Sequence, residues 1–137
     1  MSILLDTHVF LWAAGIGGRL SESAKTLLDD PDQPIFFSAA SSWEIAIKWS
    51  KGRLTLPSAP AEFINSVVSA AGLSRLNISV RDSCAVAELP LHHKDPFDRL
   101  LVAQARIHGL RLMTADSILE RYDVDVIALW LDDDDDE

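Results

Sequence analysis

Four acidic residues stand at places in the chain where they could do chemistry. Asp6 ends the apolar run Ile3-Leu4-Leu5, and Asp116 follows shortly after Leu112-Met113-Thr114. Both runs have the length and polarity of buried strands. Glu44 and Asp98 fall in what reads as the first turn of two helices, one starting at Ser41 or Ser42 and one at Asp95. In an open parallel sheet, ligands sit beyond the carboxyl ends of strands, beside helix N-termini. Acids from four distant segments can therefore meet in one cleft. Carboxylates crowded within about 4–6 Å repel one another, and some must take up protons. A hard divalent cation removes that conflict, because carboxylate and water oxygens are the ligands Mg²⁺ and Mn²⁺ take. At an open site such an ion lowers the pKa of bound water and stabilises a phosphoryl oxyanion. The chemistry implied is phosphodiester hydrolysis.

Each acid also admits a purely structural role. Asp95 suits an N-cap and Pro96 the N1 position, which places Asp98 at N3 in a variant of the capping box. Glu44 precedes Lys48 by four residues, the spacing of a helical ion pair. Asp116 can cap a short helix over Ser117–Arg121. Asp6 is harder to explain this way, because a charge directly after a buried strand needs a partner. The case for function rests on the four arriving together.

The elements that must position them alternate between strand and helix. Strands are expected at Ser2–Leu5, Ile35–Phe37, Leu76–Ser79, Leu110–Thr114 and within Tyr122–Leu129. Helices are expected over Thr7–Ala14, Ser21 to about Leu28, Ser41 or Ser42 to Ser50, Pro60–Ala71, Asp82–Leu89 and Asp95 to about His108, with Gly72 and Gly109 as stops. Pro90–Lys94, with His92-His93, reads as a solvated loop. This alternation predicts an α/β fold with a parallel sheet.

At 137 residues the chain suits one domain, with a core large enough to need no disulfide or metal staple. The net charge of -9 owes much to the six-residue acidic run Asp132–Glu137; without it, twelve basic residues face fifteen acidic ones. A mildly acidic body argues against broad electrostatic binding of nucleic acid but leaves room for a local basic patch. The lone Cys84 implies no oxidising compartment and reads as a small buried hydrophobe. The apolar N-terminus lacks a basic flank and is broken by Asp6 and His8, so neither a signal peptide nor a membrane span is expected, and the cytoplasm is the default location.

Four segments together resemble the PIN-domain family, in particular the VapC-like toxins of bacterial toxin–antitoxin pairs. They are Leu4-Leu5-Asp6-Thr7-His8, Ser41-Ser42-Trp43-Glu44-Ile45-Ala46-Ile47-Lys48, Lys94 to Ala105 with its Asp95-Pro96-Phe97-Asp98-Arg99 start, and Met113-Thr114-Ala115-Asp116. The resemblance covers residues 2–129. It implies a three-layer α/β/α sandwich with a central, mainly parallel sheet, as one domain over residues 1–131 followed by the acidic tail 132–137. It also implies an endoribonuclease dependent on Mg²⁺ or Mn²⁺, with Asp6, Glu44, Asp98 and Asp116 as the catalytic, metal-holding cluster. Thr114 matches a family hydroxyl that holds the fourth acid or a metal-bound water. A homodimer or higher complex and a cognate antitoxin are the implied partners.

In that reading Asp6, Glu44 and Asp98 hold the ion, and Asp116 positions water or a second ion. In-line attack by water leaves a 3′-hydroxyl and a 5′-phosphate. The RNA backbone is expected to meet Lys48, Lys51, Arg53, Lys94 and Arg99, and Trp12, Trp43 and Trp49 are either stacking or packing aromatics. Phe10, Trp12, Ile45 and Trp49 are candidates for an antitoxin or dimer surface. His8 reads as structural and His108 as a cation at a helix C-terminus. The acidic tail reads as a solubilising extension. Other Mg²⁺-using α/β folds fit less well: a haloacid-dehalogenase-type phosphatase wants Asp at the position of His8, and a response-regulator receiver wants a Lys after its last core strand. The non-enzyme alternative is a catalytically silent PIN-like regulatory module whose acidic cleft binds a partner protein.

Overall fold

The run Ile3-Leu4-Leu5 carries no polar side chain, and the structure, a computed structural model that describes residues 1–130, buries it on both faces. It forms β1 (Ile3–Leu5), the central strand of a five-stranded sheet. β2 (Ile35–Ser38) and β3 (Ser74–Leu76) extend the sheet on one side, β4 (Arg111–Thr114) and β5 (Val126–Ala128) on the other, in the order β3-β2-β1-β4-β5. All four pairings are parallel, with Ile3 opposite both Ile35 and Arg111. Parallel neighbours need crossovers, and helices supply them. In chain order these are α1 (Thr7–Ala13), α2 (Glu22–Asp29), α3 (Ala39–Ser50), α4 (Pro60–Ala71), α5 (Val80–Ala85) and α6 (Pro96–His108).

Alternation along the strands divides the core in two. Ile3, Leu5, Ile35, Phe37 and Met113 face Val9 and Phe10 of α1, Ile45 of α3 and Phe63, Ile64 and Val68 of α4. Leu4 and Leu112 face Leu101, Val102 and Ala105 of α6, with Leu119 and Tyr122. The result is an α/β/α sandwich. α4 and α6 stop where glycine adopts positive φ, at Gly72 and Gly109.

Several boundaries differ from expectation. The cap of α3 is Ser38, not Ser41 or Ser42: its Oγ accepts the Ala40 amide at 3.0 Å, and the chain passes from β2 into the helix without a loop. Glu44 is therefore in the second turn, not the first. Ser41 is instead buried and accepts a hydrogen bond from Thr7 Oγ1 at 2.9 Å, tying α3 to α1. β3 lies a few residues earlier than Leu76–Ser79, because Ser79 serves as N-cap of α5 in a capping box with Asp82. The helix expected over Asp82–Leu89 is α5 plus one 3₁₀ turn, Val86–Glu88. Cys84 is exposed rather than buried. Residues two apart on a helix point about 200° apart, and Asp82 takes the inward side of α5.

Asp82 anchors a buried polar network. Gln104 Nε2 donates to Asp82 Oδ2 at 3.0 Å and to the Asn77 carbonyl, while Gln104 Oε1 accepts from Ser38 Oγ at 2.5 Å. His108, expected only as a helix-end cation, places Nε2 3.1 Å from Asp82 Oδ1. Burial raises the Asp82 carboxyl, but the hydrogen bonds from Gln104, Ser79 and His108 outweigh it and hold the group below its ordinary value. Gln104→Leu keeps the volume and strips Asp82 and Ser38 of a buried partner. It should cost about 2–3 kcal/mol in urea unfolding; a loss below about 0.5 kcal/mol would show that the network contributes little.

Candidate metal centre

The sheet order reverses between β1 and β4. The chain runs outward from β1 to β2 and β3, then returns to place β4 on the other side of β1. Such a switch point opens a crevice at the carboxyl ends of the two strands. Asp6 follows β1 directly, and its amide donates to the Met113 carbonyl at 3.1 Å. Its Oδ1 caps α1 by accepting the Val9 amide at 2.8 Å, and its Oδ2 accepts the Thr114 hydroxyl at 2.5 Å. Thr114 Oγ1 in turn accepts the Asp116 amide at 3.0 Å. One buried hydroxyl thus fixes the first acid by its proton and the backbone of the fourth by its lone pair.

Glu44 and Asp98 arrive from α3 and α6. Glu44 is 2% exposed; Oε2 contacts Lys48 Nζ at 2.6 Å, and Oε1 is buried with no hydrogen-bond partner. Asp98 sits at N3 of α6, behind the cap residue Asp95, whose Oδ1 accepts the amides of Phe97 and Asp98. The Asp98 carboxyl is pushed up to about 8, chiefly by burial and then by the like charges of Asp95, Asp6, Glu44 and Asp116. Asp6 is also raised: burial outweighs the hydrogen bonds from Thr114 and Val9 and the charge of His8, and Glu44 adds repulsion. Asp6, Glu44 and Asp116 are thus all close enough to Asp98 to oppose its ionisation. Hard oxygen donors, one of them an orphaned buried carboxylate oxygen, fit a divalent cation.

The same segments match a known family: residues 3–125 fit the PIN domain. The chain belongs to the PIN-domain family. It is 30% identical over 121 residues to Ribonuclease VapC22 of Mycobacterium tuberculosis (strain ATCC 25618 / H37Rv), spanning 88% of this chain and 92% of that one. Its fold resembles VapBC2 from Rickettsia felis bound to a DNA fragment from their promoter, with a TM-score of 0.70, 16% identity and coverage of 93% and 98%. A toxin–antitoxin complex from Klebsiella pneumoniae gives a TM-score of 0.58 at 19% identity, covering 85% and 88%. At those identities the solved structures speak for the fold alone.

The PIN-domain cleft contains a residue that the sequence reading placed in solvent. His93 turns inward: its Nε2 lies 2.7 Å from Asp116 Oδ2 and 3.4 Å from Asp98 Oδ2. A usable signal was its position two residues before the cap of α6, within reach of the helix's first turn. Adjacent His92 is exposed, its ring edge-on to Tyr122 at 5.0 Å. Asp116 also caps the 3₁₀ turn Ser117–Arg121 through the Ile118 amide, so its structural and site roles coexist.

The basic candidates divide. Lys51, Arg53 and Lys94 are exposed. Lys48 is engaged by Glu44 at the cleft. Arg99 is turned inward, donating to the carbonyls of Pro90, Val86 and Leu89 and to the Tyr122 hydroxyl, and so braces the α5–α6 connection. Phe10 and Ile45, expected on a partner surface, are fully buried core residues. Trp49 is exposed, and Trp12 is half-buried against the core beside His8. Trp43 is 58% exposed and meets Phe97 edge-on at 5.0 Å, beside two of the acids in sequence. A mostly apolar cavity between α1, α2 and α4, lined by Phe10, Leu20, Leu28 and Val67, contains none of the four acids.

Proposed function

We propose that this PIN domain is a metal-dependent endoribonuclease, the toxin of a toxin–antitoxin pair. The observation that carries the reading is the convergence of Asp6, Glu44, Asp98 and Asp116 at the sheet's switch point, where burial and acidic neighbours raise the Asp98 carboxyl and Glu44 Oε1 is left without a partner. The relative named Ribonuclease VapC22 supports the activity; the antitoxin partner is part of the proposal.

Asp6, Glu44 and Asp98 are the residues that would hold Mg²⁺ or Mn²⁺. The ion supplies Lewis-acid activation of water and charge neutralisation at the scissile phosphate. The protein's own contribution is preorganisation. Thr114 orients Asp6, Lys48 orients Glu44, the cap of α6 holds Asp98 at the mouth of the cleft, and Asp116 faces it from the turn after β4. Lys51, Arg53 and Lys94 are free to contact RNA phosphates, and a few such contacts suit a short single-stranded or looped target. The proposed location is the cytoplasm; no helix among the described residues is long and apolar enough to cross a membrane. A homodimer and a cognate antitoxin complete the proposal; the Asp132–Glu137 tail lies outside the described residues.

The test is cleavage of total RNA by purified, partner-free protein with Mg²⁺ or Mn²⁺. Cleavage to 5′-phosphate ends, lost in chelator and regained on adding the ion, is the expected result. Folded, ion-loaded protein that cuts no RNA fraction would favour the binding module.

A further inference from the structure

His93 invites assignment as a metal ligand, since its Nε2 and carboxylate oxygens of Asp98 and Asp116 lie within 4.8 Å of one another. The hydrogen bonding around the ring argues otherwise. The Asp95 amide donates to His93 Nδ1 at 2.9 Å, so that nitrogen carries a lone pair. In the neutral ring the hydrogen then resides on Nε2, the atom facing Asp116. A nitrogen bearing hydrogen has no lone pair for a metal, and a metal-bound imidazole normally donates from its other nitrogen rather than accepting there. His93 is arranged as a donor.

The ring adds one bond to the loop, from the Asp95 amide; the rest of the loop's anchoring comes from other residues. Tyr122 Oη accepts the amides of both His92 and His93, at 3.2 and 2.9 Å. Arg99 holds the carbonyls of Val86, Leu89 and Pro90. The backbone at His93 thus keeps its Tyr122 anchor when the side chain is removed, and truncation, which costs only the bond from the Asp95 amide, should leave the fold intact.

We propose that His93 is a positioning residue: its Nε2–H holds the Asp116 carboxylate toward Asp98, so that the two present oxygens to one ion. Apart from His93, the Asp116 carboxylate is held only through Oδ1, by the Ile118 amide, which leaves Oδ2 to His93. Asp116 follows β4 by two residues, on a turn, and is the most exposed carboxylate of the set, whereas Asp6 is buried and held by both Val9 and Thr114. The inference rests on the metal-site reading above and adds the residue that completes it.

The experiment is calorimetric titration of RNA-free protein with Mn²⁺ and, separately, Mg²⁺. His93→Ala should weaken both ions by about tenfold and by the same factor, as loss of a group that orients a ligand does. Asp116→Asn should weaken them at least as much, and the double variant no further than Asp116→Asn alone. His93→Gln, which keeps an N–H donor, should recover most of the affinity. Three results would overturn the inference: affinity unchanged in His93→Ala, losses that multiply in the double variant, or a loss confined to Mn²⁺, which would indicate ligation by nitrogen. Unaltered protein that binds neither ion would instead sink the metal-site reading itself, and this inference with it.

Discussion

Asp6→Asn is expected to reduce RNA cleavage by about a thousandfold or more while leaving the domain folded, a loss of roughly 4 kcal/mol of transition-state stabilisation. The separation of the two effects follows from the geometry. Asn is as good an N-cap as Asp, so its carbonyl oxygen can still accept the Val9 amide and start α1. The second oxygen becomes an amide nitrogen facing Thr114 Oγ1, which has a lone pair to offer if the hydroxyl turns. What disappears is a negative charge held almost wholly out of water, in a place where burial already opposes it. Ion-free stability should therefore be unchanged or slightly higher. The measurement is initial cleavage rate beside thermal unfolding of the same preparation. A variant that unfolds with the wild type and cuts RNA within about threefold of it would take Asp6 out of the reaction.

The second large effect concerns stability. In ion-free protein the Asp98 carboxyl sits at about 8 in the folded state, raised by burial and by its acidic neighbours, against an ordinary value of 3.8. Below about pH 4 both folded and unfolded chains carry the proton, and the site imposes no penalty. Between about pH 4 and 8 the unfolded chain releases it and the folded chain does not, so stability falls as pH rises and levels off above about 8. Melting in chelator should follow that course, falling from about pH 5 to 8. Asp98→Asn removes the group that titrates. It should raise the melting temperature of ion-free protein at about pH 8 by roughly 5–10 °C, equivalent to about 2 kcal/mol, while abolishing cleavage. Saturating Mn²⁺ should reverse the order, because only the carboxylate gains from the ion. Equal melting of the two proteins in chelator across this pH range would show that Asp98 is not under electrostatic load.

The two predictions describe one design from opposite sides. An acidic cluster that costs stability when empty is one that gains from a cation, and binding the ion must expel the Asp98 proton. Apparent affinity should accordingly strengthen as pH rises toward about 8.

Local order was legible wherever a few adjacent residues decide it. The apolar run Ile3–Leu5 closed by Asp6, the Asp95-Pro96 start of α6, the Pro60 start of α4 and the Gly72 and Gly109 stops are set by capping, proline and glycine chemistry within a turn of chain. The parallel α/β class followed from alternation. α3 was harder, because Ser38, Ser41 and Ser42 are all competent caps, and only the end of β2 selects Ser38. Cys84, Phe10 and Ile45 were misplaced because which side of a helix faces inward depends on what packs against it. For Phe10 and Ile45 that is the sheet's Ile3–Leu5 face.

The identities of the four acids, the placement of Asp6 and Asp116 after strands and of Asp98 at a helix start, and the likeness to PIN domains were determined by the sequence alone; Glu44 proved to lie one turn further into α3. Their meeting was decided by the tertiary structure. Asp6 and Asp116 are neighbours because β4 pairs with β1 rather than continuing outward past β3, and α3 and α6 then deliver Glu44 and Asp98 to the same edge. His93 and Arg99 show the same dependence. An imidazole in a polar loop reads as a solvent group and an arginine beside an acid as a phosphate contact until Tyr122, some twenty to thirty residues away, pins the loop and bonds to the arginine. Capping and turn preferences act over a few bonds and are written in adjacent residues. Which distant groups share a cleft depends on strand order and on side chains that meet only after the chain has closed on itself.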